Sequence, residues 1–364
     1  MSITRIEARA YKIPTDRPEA DGTLSWDATV MVIVQITDGD HTGLGFTYAA
    51  AAAASVVSEH LAPAAVGRDP ADLPSLAEDM ARAVRNLGRP GLVACAISAV
   101  DIALWDLRAR QLGISLTNLF GQARSTVPVY GSGGFTTYDD ATTIAQLTLW
   151  TRDWSIPRAK IKIGESRGTN TGRDMHRVAL ARKAIGDAEL YVDANGAYQP
   201  KQALRMGQAM AADFDVAWFE EPVSSDDLAG LAALRRGFDG DVAAGEYGYT
   251  LDYFARMIGA GAVDCLQADV TRCGGYSVWR DVAALANAHH LQISGHCAPN
   301  LHAPIAASVP NLRHVEYFHD HHRIETMLFD GTLLPQGGSM VPDPSAPGHG
   351  LTFRESLAER YRIA

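Results

Sequence analysis

Residues 2–13 and 29–37 alternate or run apolar with the period-two pattern of strands, and Val30-Met31-Val32-Ile33-Val34-Gln35-Ile36 is the clearest of these runs. Asp38-Gly39-Asp40 follows as a turn, and residues 14–28, with two prolines and several acidic groups, have loop composition. From about 50 to 112 the period becomes helical. Ala96, Val100, Ala103, Leu104 and Leu107 recur on one face of a helix predicted over 92–112, and Gly113 stops it. The Ala49–Ala54 run reads as a tightly packed loop or helix start. The helical stretch ends near residues 121–128, Gly-Gln-Ala-Arg-Ser-Thr-Val-Pro. From 126 onward short apolar runs and amphipathic helices alternate about every 25–30 residues, the rhythm of a (β/α) barrel. The segment from about 331 is rich in Gly and Pro.

Polar groups close these later runs in a regular way. Glu-Leu-Tyr-Val-Asp193, Val-Ala-Trp-Phe-Glu220 and Asp-Val-Ala-Ala-Gly-Glu246 each end on a carboxylate, 27 and 26 residues apart. Carboxylates at the mouths of three successive parallel strands make an oxygen-only site suited to a hard divalent cation such as Mg²⁺. Upstream, Ala159-Lys160-Ile161-Lys162-Ile163 is a strand on which both lysines share a face. Downstream, Asp269 ends Cys-Leu-Gln-Ala-Asp, His296 ends Leu-Gln-Ile-Ser-Gly-His, and Glu316 lies in Leu-Arg-His-Val-Glu. From Lys162 to Glu316 the steps are 31, 27, 26, 23, 27 and 20 residues. Polar groups at successive strand ends are the layout of a barrel active site, which uses the C-terminal face. Gly131-Ser132-Gly133-Gly134 lacks the spacing and the Lys of a nucleotide loop and reads as close backbone approach at the end of the first barrel strand.

On these residues the chain resembles the enolase superfamily, in its mandelate racemase branch. The resemblance rests on Lys160 and Lys162 on the second barrel strand and Asp193, Glu220 and Glu246 on the third to fifth. Asp269 with His296 on the sixth and seventh, Glu316 on the eighth, Asn195, and Gly274-Gly275 complete it. It implies an α/β fold: a (β/α)7β TIM-type barrel over 126–330, an α+β capping domain over 1–125, and a C-terminal segment, 331–364, that returns to the cap. It implies one Mg²⁺ held by Asp193, Glu220 and Glu246, a homo-oligomer (dimer or octamer), and abstraction of the proton α to a substrate carboxylate through an enediolate. Lys162 is then the acid/base, and Lys160 the ammonium that lowers its pKa. His296, oriented by Asp269, works from the opposite face, and Glu316 with a raised pKa donates to the substrate. The expected substrate is a small carboxylate, an aldonic or aldaric acid. The expected outcome is loss of water to a 2-keto-3-deoxy acid by a hydro-lyase; the alternative is a racemase or epimerase using the same two bases. Trp26, Arg17, Tyr48, Asp21 and Tyr138 are the expected substrate-binding groups, with Lys201 as a further candidate and Arg17 suited to a distal carboxylate. Of the pair Glu220-Glu221 only one can face the site, and Glu221 is expected to turn into the barrel wall.

Composition narrows the rest. A net charge of −10 without a basic stripe argues against nucleic acid as a partner. No apolar run reaches the roughly 20 residues a bilayer requires, and Met-Ser-Ile-Thr-Arg-Ile-Glu has no apolar signal core, so no membrane partner and a cytoplasmic location are expected. Cys95, Cys265, Cys273 and Cys297 lack metal-ligand spacing and read as buried reduced thiols. His319-Asp320-His321-His322 reads as loop beyond the eighth strand rather than a second metal site, with Arg323 and Glu325 an ion pair beside it.

Overall fold

The computed structural model describes residues 2–364. Three antiparallel strands come first: β1 (Arg5–Ala20), β2 (Ser25–Thr37) and β3 (Thr42–Tyr48). A helical run over 52–65 and the long helix Leu92–Gln111 cover one face of this sheet, and a helix Leu73–Ala83 packs against both. Val32, Val34 and Ile36 on β2 and Val100, Ala103 and Leu107 on the long helix are fully enclosed between the two layers. Glycines on β3 let the helix lie close: a Cβ on Gly45 would stand 2.1 Å from the Ala99 carbonyl oxygen.

Eight parallel strands then close a barrel: β4 (Val127–Gly133), β5 (Arg158–Lys162), β6 (Glu189–Asp193), β7 (Val216–Glu220), β8 (Asp241–Ala244), β9 (Cys265–Ala268), β10 (Gln292–Gly295) and β11 (Leu312–Phe318), with β11 pairing back onto β4. Each is followed by helix, and the apolar sides of strands and helices form one continuous core. Inside the barrel, Tyr130, Tyr191, Trp218, Ala243 and Cys265 fill a layer beneath the strand ends, with Tyr191 stacked on Trp218 at 5.2 Å. This layer makes a solid floor on which the polar groups at the strand ends rest.

The first sheet is longer than its sequence pattern predicts. Residues 14–28 are not a loop: β1 and β2 pair on past a register shift between Pro14 and Glu19, with Glu19 opposite Trp26 and Ala20 opposite Ser25. The indole of Trp26 packs edge-on against Phe135 and donates to Glu19, which anchors this extension. The turn at its tip is an Asx turn, with Asp21 Oδ1 accepting from Thr23 N and from Leu24 N at 2.8 Å. The tip docks on the barrel mouth. Thr136 N donates to Ala20 O (2.9 Å) and Arg167 N to Gly22 O (2.8 Å). Gly22 lies so near the end of β5 that a Cβ would stand 2.7 Å from the carbonyl oxygens of Ile163 and Gly164. The hairpin therefore roofs the C-terminal face of the barrel.

Asp106 ties the parts together. Wholly buried on the long helix, it accepts from Leu44 N of β3 (2.9 Å), Arg110 Nε (2.7 Å) and His349 N of the C-terminal segment (2.9 Å). That segment contacts both halves: Ser339–Met340 pairs with β4, and Ile363 N donates to Ala10 O of β1.

Candidate active site

Parallel pairing sets the site's register. Lys162 lies opposite Asp193, Asp193 opposite Glu220, and Glu220 opposite Ala243, so adjacent strands present their polar ends at one level. Glu246 stands two residues beyond β8, and Asp269 and His296 one residue beyond β9 and β10. All are buried or nearly so. Asp193, Glu220 and Glu246 each direct one oxygen to a common point, the three lying within 4.8 Å of one another.

The cations around them are shared. Lys160, fully buried over the Tyr130 ring, bonds Glu220 and lies 2.9 Å from Glu316 and 3.7 Å from Asp193. Lys162 Nζ reaches Asp193 Oδ2 at 2.5 Å. His296 Nδ1 contacts Asp269 Oδ2 at 2.9 Å, leaving Nε2 facing the site, 3.2 Å from Glu246 Oε2. Ser132 Oγ donates to Glu316 Oε1 (2.6 Å) and Cys297 N to Glu316 Oε2 (3.0 Å). Trp218 Nε1 holds the second oxygen of Glu220 at 3.0 Å. Asn195, at φ +45°, donates its backbone N–H to Asp193 Oδ1.

A cavity of about 340 Å³ lies over these groups, between the barrel mouth and the hairpin. Lys162, Asn195, Glu246, His296 and Glu316 line its floor; Asp21, Trp26 and Tyr48 are in its walls. Lys160 is not, being enclosed below. A larger cavity of about 560 Å³ shares Asn195 and Tyr247 with it but opens beside Glu221, away from the two lysines.

Several expectations are corrected. Arg17 is exposed and turned to Thr142 Oγ1 at 3.2 Å, outside the cavity. Tyr138 is buried behind Phe135, one layer back, and Lys201 is exposed at the start of the helix Pro200–Phe214. Glu221, expected in the barrel wall, instead lines the larger cavity: at φ +38° it is buried close to Glu246, Asp193 and Glu220, with Oε1 unpartnered, and burial with these neighbours pushes it far above the usual carboxylate range. His319–Leu328 is a helix, because Phe318 ends β11 directly into it. His321 there stacks on Tyr48, Arg323 pairs with Asp320 at 2.6 Å, and Glu325 is held by Asn300 and Tyr48 rather than by Arg323.

The ionisation pattern also differs. Burial alone would lower Lys162, yet the Asp193 carboxylate outweighs both burial and the Lys160 charge and holds it above its ordinary value. Glu316, expected raised, is held well below the carboxylate range, because Lys160 and His296 outweigh burial. His296 is shifted upward. Burial opposes its charged form, but Cys297, Glu246, Glu316 and Asp269 prevail and raise it well above 6.5. Asp269 falls to about 2 against burial, through His296 and Arg272.

Arg272, one turn beyond Asp269, escapes a reading based on strand ends. It lies in the cavity wall over the Tyr247 ring, 3.2 Å from Glu246 and 3.4 Å from Asp269. Its only sequence signal is the i, i+3 spacing from Asp269. Glu19 gives no signal at all. It is fully enclosed, holds Trp26 Nε1 at 2.8 Å, and keeps Oε1 unpartnered. Burial and Asp320 push its pKa from 4.5 to about 8 against the pull of the Trp26 bond.

A raised acid binds its proton more tightly in the folded than in the unfolded state, so stability falls as pH rises from about 4.5 to about 8. Glu19→Gln keeps an acceptor for Trp26 and removes the titration. The variant is expected to match the wild type near pH 5 and to exceed its stability by about 2–5 kcal/mol at pH 9. Melting curves of both proteins across that range measure this, and a pH-independent difference would show that Glu19 does not titrate there.

Comparison with known proteins accords with this geometry. Residues 5–121 match the mandelate racemase / muconate lactonizing enzyme N-terminal domain, and residues 143–357 the enolase C-terminal domain-like model. The crystal structure of a mandelate racemase/muconate lactonizing enzyme-like protein from Rubrobacter xylanophilus is 46% identical and covers 100% of both chains at a TM-score of 0.96. A 3,6-anhydro-alpha-L-galactonate cycloisomerase of Streptomyces coelicolor is 32% identical over 96% of this chain and 97% of its own. The L-talarate/galactarate dehydratase of Salmonella typhimurium is 30% identical over 92% of this chain and 82% of its own. Its structure liganded with Mg and L-lyxarohydroxamate has a TM-score of 0.90, at 28% identity over 100% of this chain and 93% of that one.

Proposed function

This chain belongs to the mandelate racemase / muconate lactonizing enzyme family of the enolase superfamily, and we propose that it is an acid-sugar dehydratase that removes the proton α to a substrate carboxylate and then expels the β-hydroxyl as water. The observation that carries this reading is the pairing of two proton carriers in one cavity. Lys162 and His296 both line it, three strands apart round the barrel through β4 and β11. A binding module has no need of both.

The residues fit a divalent cation. Asp193, Glu220 and Glu246 offer only oxygen donors, they crowd together out of water, and Glu246 Oε2 has no hydrogen-bond donor in line with it. Asp193, Glu220 and Glu246 would hold Mg²⁺, which would supply positive charge to offset the second negative charge the substrate carboxylate gains.

Lys162 reacts as the neutral amine, the form that the adjacent Lys160 charge favours, and accepts the α-proton; the C–H electron pair enters the carboxylate to give the enediolate. Lys160 is enclosed beneath and stays charged between Glu220 and Glu316, so its role is electrostatic. On the other wall His296 is an imidazolium steadied by Asp269. It gives its Nε2 proton to the departing β-hydroxyl, which leaves as water, and the enol product tautomerises to the 2-keto-3-deoxy acid. Glu316, an anion here, fixes Lys160, Ser132 and the Cys297 amide. Asn195 faces the cavity and is placed to hold a substrate hydroxyl; Tyr48 and Trp26 form walls over it. The same two carriers allow 1,1-proton transfer if no leaving group sits at Cβ, which is the racemase reading.

Proton NMR in D₂O with Mg²⁺ and pooled aldonic and aldaric acids separates them. Dehydration is expected, seen as a new methylene signal as one substrate disappears. Loss of an α-proton signal without a methylene would replace the dehydratase with an epimerase.

A further inference from the structure

We infer that the substrate of this site is a monocarboxylate with an uncharged, partly apolar far end, and that dicarboxylic acid sugars are disfavoured. The inference rests on the reading above that one substrate carboxylate sits at the Asp193–Glu220–Glu246 cluster.

Charge is unevenly distributed in the cavity over these groups. Among the described residues two lysine or arginine side chains line it, Lys162 and Arg272. Both belong to the reacting end, and both are already engaged: Lys162 by Asp193, and Arg272 by Glu246 and Asp269. The far wall, under the hairpin, is built from Leu24, Trp26, Ala28, Val30 and Phe318. Its one charged group is Asp21, which is negative. Glu19 behind Trp26 adds a second acid and no base. Arg17, the cation best placed in sequence to meet a distal carboxylate, turns outward to Thr142. His321, also in the wall, is held neutral by burial, its pKa lowered to about 3.

A second carboxylate placed under the hairpin would therefore lose water without gaining a counter-ion, and would face Asp21. Burying one member of a charge pair without the other is strongly unfavourable. A terminal CH₂OH, or the face of a sugar ring, meets no such penalty, and its C–H groups pack on the indole of Trp26.

The test uses aldonic acids and the aldaric acids of the same configuration, which differ only in the oxidation state of the terminal carbon. Both kcat/KM and Mg²⁺-dependent affinity by calorimetry are read. The monoacid is expected to be favoured by about 100-fold in both. A diacid used or bound equally well overturns the inference. If neither acid turns over but the difference in affinity persists, the dehydratase reading falls and the inference stands; if neither binds, both fall. Leu24, 65% exposed at the hairpin tip, offers a gain-of-function check. Leu24→Arg supplies the missing cation and is expected to shift the ratio of kcat/KM about 10-fold toward the diacid. An unchanged ratio would mean the far end of the substrate does not lie under the hairpin, and would overturn the assignment.

Discussion

Lys162→Ala is expected to lower kcat by about 10³–10⁴-fold, and His296→Asn by a similar factor, with neither change disturbing the fold. The two losses should nevertheless differ in kind. Lys162 is the lysine that reaches the cavity, and in the proposed reaction it takes the α-proton, so its removal abolishes both elimination and exchange of the α-proton with D₂O. In that proposed reaction His296 would act after the enediolate has formed. Its replacement should leave slow α-proton exchange by Lys162 while product formation is lost. The two measurements on one sample, exchange by NMR and product by its methylene signal, thus order the two residues along the reaction. Elimination surviving in either variant would remove that residue from its role. Exchange surviving in Lys162→Ala but not in His296→Asn would reverse the assignment and make the imidazole the base. Lys162→Ala also frees Asp193 of its ammonium partner, so Mg²⁺ affinity should hold or rise, which separates a chemical defect from a binding defect.

The sequence made the barrel half legible for a physical reason. Parallel strands buried on both faces are short apolar runs, and a polar residue closing such a run stands out. The regular steps from Lys162 to Glu316 therefore read directly as strand ends, and register pairing places Lys162, Asp193 and Glu220 side by side. What stayed hidden depends on contacts across the fold. The hairpin over 14–28 looks like loop because its polar positions face water or the cavity mouth; pairing is recovered only through Glu19 and Trp26, whose anchors, Phe135 and the barrel mouth, lie more than a hundred residues away. Arg17 and Tyr138 lie in the right segments, yet Thr142 and Phe135 turn them elsewhere. The sign of the shifts at Lys162 and Glu316 could not be read either. Like-charge proximity along β5 suggested a depressed lysine, but Asp193, Glu246 and Glu220 at the ends of β6, β8 and β7 outweigh that repulsion at Lys162, and Lys160 and His296 outweigh burial at Glu316.

Removal of Mg²⁺ by a chelator is the second large effect: activity should fall to background and return on adding the metal. Stability should follow occupancy, with an increase of about 2.7 kcal/mol at a Mg²⁺ concentration a hundred times Kd, visible as a higher melting temperature. The carboxylates of Asp193, Glu220 and Glu246 converge within 4.8 Å. Replacing any one by its amide removes a full negative charge and a donor, so Asp193→Asn, Glu220→Gln and Glu246→Gln should each weaken Mg²⁺ by about 100-fold or more in calorimetry. Glu221 makes the comparison informative. It is adjacent, buried and unpartnered at Oε1, yet its oxygens do not join the converging set. Glu221→Gln should therefore weaken Mg²⁺ by no more than about 10-fold, an upper limit for a neighbour whose carboxyl burial pushes toward its neutral form. If Glu221→Gln is the more damaging of the adjacent pair, the ligand is Glu221, and Glu220, already bound to Lys160 and Trp218, is a structural anion beneath the site.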